Sequence, residues 1–166
     1  MFIIYTDGSS RGNPGRGGWA AIVIENNYGV LKVLKEIGGR EEKTTNNRME
    51  LTAAIEALKS LGDFGNTELA CSEFVEPVEV FSDSTYLING ITKWVYGWQK
   101  NKWQTKDKRG VLNKDLWQKL LVQIEKRNIV WKKVLGHSGH KFNDRCDEIA
   151  TSFADGKKVI FNNRPI

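Results

Sequence analysis

The chain is poor in cysteine, with only Cys71 and Cys146 among 166 residues. Their spacing matches neither a disulfide framework nor a zinc motif, so reduced, structural thiols are expected. Long apolar runs are missing too. No stretch approaches the ~20 residues that a membrane helix requires. The N-terminus, MFIIYTDGSS, has no basic region, and its apolar run is too short for a secretory signal. These absences lead to the expectation of a cytoplasmic protein with no membrane partner. Repeats, low-complexity tracts and linkers are also lacking. The length suits one domain, and a chain of this size buries roughly 70% of its unfolded surface without a metal or disulfide staple.

What is present is ordinary in bulk: 40% hydrophobic and 27% charged residues, close to the average of soluble proteins. The net charge of +5 and pI of about 9.2 favour polyanionic partners. A whole-chain excess of that size also serves plain solubility, so the placement of the charge matters more.

Phe2 to Thr6 is a short β-rich run that stops at Asp7-Gly8, and Ser9 to Gly18 is rich in turn residues. Trp19–Glu25 and Val30–Ile37 read as two further strands joined at Asn26-Asn27-Tyr28-Gly29, which makes an antiparallel meander. Asn46–Leu61 has a clear 3.6-residue period and predicts a helix. Gly62 to Pro77 reads as irregular. Val78–Ser82 predicts a fourth strand and Ser84–Gln99 a helix in two pieces broken near Gly90. Asn113–Lys126 predicts a helix, Ile129–Leu135 a fifth strand and Asn143–Ala154 a last helix. A tail from Asp155 is expected to be loosely ordered. Hairpin strands followed by alternating strands and helices imply an α/β (mixed α+β) fold, one mixed sheet covered by helices. The expected division is a catalytic domain over 1–154 and a tail over 155–166.

Four carboxylates stand in awkward places. At 100° per residue, Arg48, Thr52, Glu56 and Lys59 share one side of the first helix, whereas Glu50 points with the apolar side of Ala54, Ala57 and Leu61. Burying a glutamate costs several kcal/mol unless it is paired or neutralised. Asp7 ends the first strand with the parity of Ile3 and Tyr5. Asp83 ends the fourth strand, where α/β sheets place their ligands. Asp147 is expected in the first turn of the last helix. Each has a structural reading when taken alone: a snorkelling helix-dipole acid for Glu50, an Asp-Gly turn for Asp7, an N-cap for Asp83, a dipole-stabilising acid for Asp147. Brought together, four such acids would repel one another unless hard cations neutralised them. Oxygen-only ligands select Mg²⁺ or Mn²⁺ over zinc.

The motifs around these acids are YTDGSSRGNPG with Asp7, NNRMEL with Glu50, SDSTY with Asp83, and GHSGHKFNDRCDEIA with Asp147. In these residues, taken in this order, the chain resembles ribonuclease HI, the bacterial type 1 ribonuclease H, from Met1 to about Ala154. The resemblance implies a ribonuclease H-like fold, with a five-stranded mixed sheet whose first three strands are antiparallel, flanked by helices. It implies endonucleolytic hydrolysis of the RNA strand of RNA/DNA hybrids with little sequence specificity. Asp7, Glu50, Asp83 and Asp147 would hold two Mg²⁺ ions, with Mn²⁺ as a substitute and Asp7 bridging. His137 would assist from a mobile loop. Ser10, Asn13, Asn46, Asn47 and Thr85 fall at hybrid-contacting positions, although Ser10 and Thr85 replace side chains more usual in the family. A further departure is the length of Gly62–Pro77, which carries Glu68, Glu73 and Glu76 where relatives have a short link. A surface insertion is tolerated there and touches no catalytic position.

Lys93 to Lys114 holds seven Lys/Arg and one acid, Asp107, with Trp94, Trp98 and Trp103 interleaved. Trp94 and Trp98, four apart, share a helix face and are expected to pack together. Lys100, Lys102, Lys106 and Lys108 are expected to meet phosphates, because the segment concentrates the positive excess. It resembles the basic protrusion with which bacterial ribonuclease HI grips the DNA strand. The partner implied is an RNA/DNA hybrid duplex, and the chain is expected to be a monomer. Two other readings compete: a hybrid-binding module without catalysis, opposed by the intact acid set, and another nuclease of the same fold, such as a Holliday-junction resolvase or an integrase, opposed by NNRMEL and the basic segment.

Overall fold

In a computed structural model of the chain, residues 1–64, 77–125, 127–136 and 139–162 are described, the side chains of 63 and 64 excepted. Three strands lead: β1 (Phe2–Gly12), β2 (Gly15–Asn27) and β3 (Val30–Thr44). Helix α1 (Asn46–Ser60) follows and ends in a tight turn at Leu61–Phe64. Next come β4 (Val78–Ser82), α2 (Thr85–Asn89), α3 (Val95–Lys100), α4 (Lys114–Ile124), β5 (Ile129–Lys133) and α5 (Lys141–Ala154). The sheet runs in the order β3-β2-β1-β4-β5. β1 pairs antiparallel with β2, and β2 with β3, whereas β4 lies parallel to both β1 and β5. The expected mixed sheet with an antiparallel meander is therefore present.

The strands at the meander are longer than the sequence suggested. Ser9 to Gly18, expected as a turn-rich connection, is mostly paired ladder: Ser9 faces Gly18 and Gly12 faces Gly15 across a tip at Asn13-Pro14. Glycine is a weak strand former by itself, but here the paired neighbour and the α5 side impose the extended backbone. At Gly18 an added Cβ would lie 2.1 Å from the Ala150 carbonyl oxygen, so only glycine lets α5 approach. β3 likewise continues past Ile37 to Thr44. The helix expected to break near Gly90 instead runs on from α2 to α3 through a wide π-type turn, Gly90–Trp94. Gly90 stands where a side chain would collide with the Trp117 ring.

Two cores flank the sheet. On one face Ile4, Val23 and Val80 pack under Leu51, Ile55 and Leu58 of α1 and under Trp117 and Leu120 of α4. On the other face Tyr5, Ala20, Ile22 and Ile24 pack under Cys146, Ile149 and Ala150 of α5. Ile4 and Tyr5, adjacent in β1, thus supply opposite cores, as a period of two requires. α1 buries Met49, Leu51, Ala53, Ala54, Ile55, Ala57 and Leu58, and leaves Arg48, Thr52, Glu56 and Lys59 towards solvent. That is the division its 3.6-residue period predicts.

The segment after α5 is not loose through residue 162. Asp155 pairs with Arg11 at 2.5 Å, Ile160 accepts from Arg145 at 2.7 Å and the Asn162 N–H donates to Glu36 at 2.8 Å. Its terminal position suggested looseness, whereas its partners lie far away in sequence. Most of the Gly62–Pro77 insertion, with Glu68, Glu73 and Glu76, lies outside the described residues, as do His137 and Cys71. No helix among the described residues is long and apolar enough to cross a membrane.

Candidate active site

Asp7, Glu50 and Asp83 come together at the β1–β4 junction, with one carboxylate oxygen from each within 4.8 Å of the others. Three elements deliver them. Asp7 sits inside β1 opposite Ala20, so it is a strand residue and not part of an Asp-Gly turn. Asp83 follows the last residue of β4. It does not cap the next helix, because Ser84 does: the Leu87 N–H donates to the Ser84 hydroxyl at 3.2 Å. Glu50 lies past the first turn of α1, whose N-cap is Thr45, accepting from the Arg48 N–H at 3.4 Å.

Gly8 makes the convergence possible. A Cβ built on it would stand 2.3 Å from the Glu50 backbone nitrogen and 2.5 Å from the Met49 carbonyl carbon. Both are backbone atoms that cannot swing aside, so only glycine allows α1 to rest on β1 at this point. In the sequence, Gly8 shows only as half of a turn. At Gly136, just after β5, a Cβ would approach Asp83 Oδ2 to 2.6 Å, a side-chain end that can shift.

Like charges and burial act together on these carboxyls. Asp7 and Glu50 are each only about 5% and 4% exposed. Burial, then repulsion from Asp83 and Asp147, pushes the Asp7 carboxyl up to about 8, against an opposing hydrogen bond from the Gly8 N–H. Glu50 is raised well above its ordinary range by burial first and then by Asp7 and Asp83, with Gly8 and Asn46 opposing. Asn46 Nδ2 donates to Glu50 Oε1 at 3.4 Å, while the buried Oε2 has no hydrogen-bond partner. A buried carboxylate oxygen without a donor, in a cluster of like charges, is an acceptor waiting for positive charge. An all-oxygen donor set of this kind fits a hard divalent cation. Glu50 is thus neither snorkelling nor a first-turn acid.

Asp147 stands apart from the three. It lies in the second turn of α5, whose first-turn acid is Asp144. It is half-buried, and its charge raises the Asp7 carboxyl from across the cleft. The structure therefore brings three of the expected acids into contact and sets the fourth beside them.

The other expected site residues fall on several elements. Ser10 is half-buried in β1 and donates to the Gly12 carbonyl at 2.6 Å. Asn13 is exposed at the β1–β2 tip, and Asn46 and Asn47 are exposed at the start of α1. Thr85, exposed beside Asp83, accepts from Lys133 Nζ at 2.6 Å. Lys100, at the end of α3, and Lys102, Lys106 and Lys108, on the segment between α3 and α4, are all exposed. That segment is built, not slack. Asn101 Nδ2 donates to the Gln104 carbonyl at 2.9 Å, Val111 N–H to Trp103 at 3.1 Å, and Gln104 pairs with Gly110. Lys102 and Lys108 adopt left-handed backbone, with φ of 52° and 59°. Behind them Trp94 and Trp98 pack at 5.8 Å and Trp98 and Trp117 at 5.7 Å, so these rings form the base of the segment, as their spacing predicted.

Sequence reasoning missed Arg48, which holds Asp115 of α4 through two hydrogen bonds of 3.0 and 2.8 Å and so ties the basic segment's far end to α1. Only the 67-residue separation hid it. His140 is exposed just ahead of α5. A hollow of about 830 Å³ between α3, α4 and β5 is lined by none of the four acids.

The sheet order, the helix on each face and the acids at the parallel β1–β4 pair define a protein of ribonuclease H-like fold. The sequence matches the RNase H family over residues 1–155, and the chain belongs to that family; it is a hydrolytic endoribonuclease. It is 50% identical over 149 residues to the ribonuclease H of Caldanaerobacter subterraneus subsp. tengcongensis, covering 89% of this chain and 87% of the relative. Against the ribonuclease H of Pseudoalteromonas atlantica it is 44% identical over 157 residues, covering 95% and 92%. Among solved structures, LC9-RNase H1, a type 1 RNase H with the type 2 active-site motif, superposes with a TM-score of 0.77 at 29% identity over 95% of this chain and 73% of its own. LC11-RNase H1, solved in complex with an RNA/DNA hybrid, superposes with a TM-score of 0.70 at 28% identity over 94% and 98%.

Proposed function

We propose that this enzyme cuts the RNA strand of RNA/DNA hybrids internally, with two divalent cations, leaving 5′-phosphate and 3′-hydroxyl ends. The carrying observation is the Asp7–Glu50–Asp83 cluster, with its orphaned Glu50 Oε2. The hybrid bound to the LC11 relative supports the substrate. Asp7, Glu50, Asp83 and Asp147 would hold the ions, Mg²⁺ or Mn²⁺. Bound cations supply the positive charge that activates water and stabilises the departing oxygen of the phosphodiester.

The chain's own residues do the rest. Asn46 orients Glu50 by its hydrogen bond to Oε1, and the Gly8 N–H favours the charged form of both Asp7 and Glu50. Asn13, Asn46 and Asn47, exposed around the cluster, carry amides that both donate to and accept from a 2′-hydroxyl. A wide minor groove lined with 2′-hydroxyls is readable by shape, so sequence preference is weak. Ser10 and Thr85 flank the same surface. Lys100, Lys102, Lys106 and Lys108 neutralise phosphates of the DNA strand. His137, outside the described residues, assists proton transfer or product release. The enzyme works as a cytoplasmic monomer.

The deciding experiment is cleavage of labelled RNA/DNA hybrid, double-stranded RNA and branched DNA, with and without Mg²⁺. Cleavage of the hybrid alone, dependent on metal and yielding 3′-hydroxyl ends, is expected. Preference for branched DNA would move the enzyme to a resolvase, and binding without cleavage would make it a hybrid-binding module.

A further inference from the structure

α5 carries Asp147 on one flank and Arg145 on another. At 100° per residue they point about 200° apart around the helix. Cys146, between them, enters the core, where it is fully buried and its Sγ donates to the Tyr5 carbonyl at 3.4 Å. Tyr5 is two residues before Asp7 on β1. The roll of α5 about its axis therefore decides how far Asp147 reaches towards Asp7.

The Arg145 flank is clamped. Its guanidinium donates to Glu36 Oε1 at 3.3 Å and Oε2 at 3.0 Å, and to the Ile160 carbonyl at 2.7 Å. Glu36 is only 4% exposed, although it belongs to the edge strand β3. The segment after α5 completes the clamp: the Asn162 backbone N–H donates to Glu36 Oε2 at 2.8 Å, and its amide nitrogen to Oε1 at 3.4 Å. Phe161 packs against Phe153 with centroids 6.2 Å apart. A buried carboxylate that takes donors from a helix and from the segment beyond it couples the two, because each donor satisfies part of the same buried charge.

We propose that residues 155–162 form a strap which, through the Glu36–Arg145 clamp, sets the roll of α5 and so positions Asp147 at the metal-binding cluster. Arg145, Glu36 and Asn162 are positioning residues in this scheme, which rests on the reading of Asp147 as a ligand. Partners that orient a metal ligand directly change metal affinity by roughly 10- to 100-fold when lost. The strap acts one step further out, so an effect of about three- to tenfold is expected.

Three variants test it: Asn162→Pro, which removes a backbone N–H and two amide donors from an exposed position and leaves the core intact; truncation after Gly156; and Asp147→Asn. Mn²⁺ binding to the free protein is measured by calorimetry, beside the metal half-saturation, kcat and hybrid KM of cleavage, and Tm. Both strap variants should bind Mn²⁺ about three- to tenfold more weakly, raise the metal half-saturation in proportion and hold hybrid KM within about twofold. A lowered Tm with unchanged Mn²⁺ affinity would reduce the strap to a structural fastening and overturn the proposal. If Asp147→Asn weakens Mn²⁺ binding and the strap variants do not, the strap alone is wrong. If Asp147→Asn binds Mn²⁺ like the parent, the ligand reading of Asp147 fails and carries this inference down with it.

Discussion

Replacing Asp7 by asparagine should raise the stability of the metal-free protein while abolishing cleavage. In the folded protein the Asp7 carboxyl is pushed up from 3.8 to about 8, chiefly by burial and then by Asp83 and Asp147. The direction is opposite to that of a salt-bridged aspartate. Folded protein holds the proton more tightly than unfolded chain, so this group's contribution is fully present below about pH 4 and is lost as pH rises towards 8. One unit corresponds to about 1.4 kcal/mol, and roughly three units of the window are traversed by pH 7, which sets a ceiling of about 4 kcal/mol. Water entering the cleft and relaxation of the surrounding charges reduce it, leaving a net gain for asparagine of about 1–3 kcal/mol. For a domain of this size that is a rise in Tm of roughly 3–10 °C. Thermal melts in chelator at pH 7 should show it, the gap should shrink at pH 4, and added Mg²⁺ should narrow it by stabilising the parent more. Hybrid binding should survive, and cleavage should fall below about a tenth of the parent's, given the several kcal/mol that metal catalysis supplies. Equal or lower Tm for the variant at pH 7 without metal would refute the account of a frustrated carboxylate cluster.

Further outcomes follow from the same geometry. Gly8→Ala would drive a methyl group into the backbone of Glu50 and Met49; a stability loss of about 1–3 kcal/mol and a drop in kcat are expected, measured by denaturant unfolding and cleavage. Neutralising Lys100, Lys102, Lys106 and Lys108 together should weaken hybrid binding and flatten its salt dependence, by about 0.9 in the log–log slope for each phosphate no longer neutralised. An unchanged slope would show these lysines to be merely solvated. His137→Ala should lower kcat by roughly 10- to 100-fold with little change in hybrid affinity, and His140→Ala should do much less; a His137 variant as inactive as Asp7→Asn, or one as active as the parent, would remove the assisting role.

Much of this protein was legible in its sequence, because the relevant signals are local. The period of α1 predicted that Glu50 faces the core, the period of two placed Ile4 and Tyr5 in opposite cores, and the spacing of Trp94 and Trp98 predicted their packing. Four motifs in order were enough to identify the family. What tertiary structure alone decided depends on partners distant along the chain. Ser9 to Gly18 looks like turns until β2 and α5 impose an extended ladder on it. Gly8 looks like a turn residue until α1 rests on it. Asp83 looks like a helix cap until Ser84 takes the bond. Glu36 and Arg145, 109 residues apart, and Asn162 beyond them carry no local pattern at all. A charge can be seen in sequence, but its desolvation and its partners exist only once the chain has packed, and those two quantities set the character of this site.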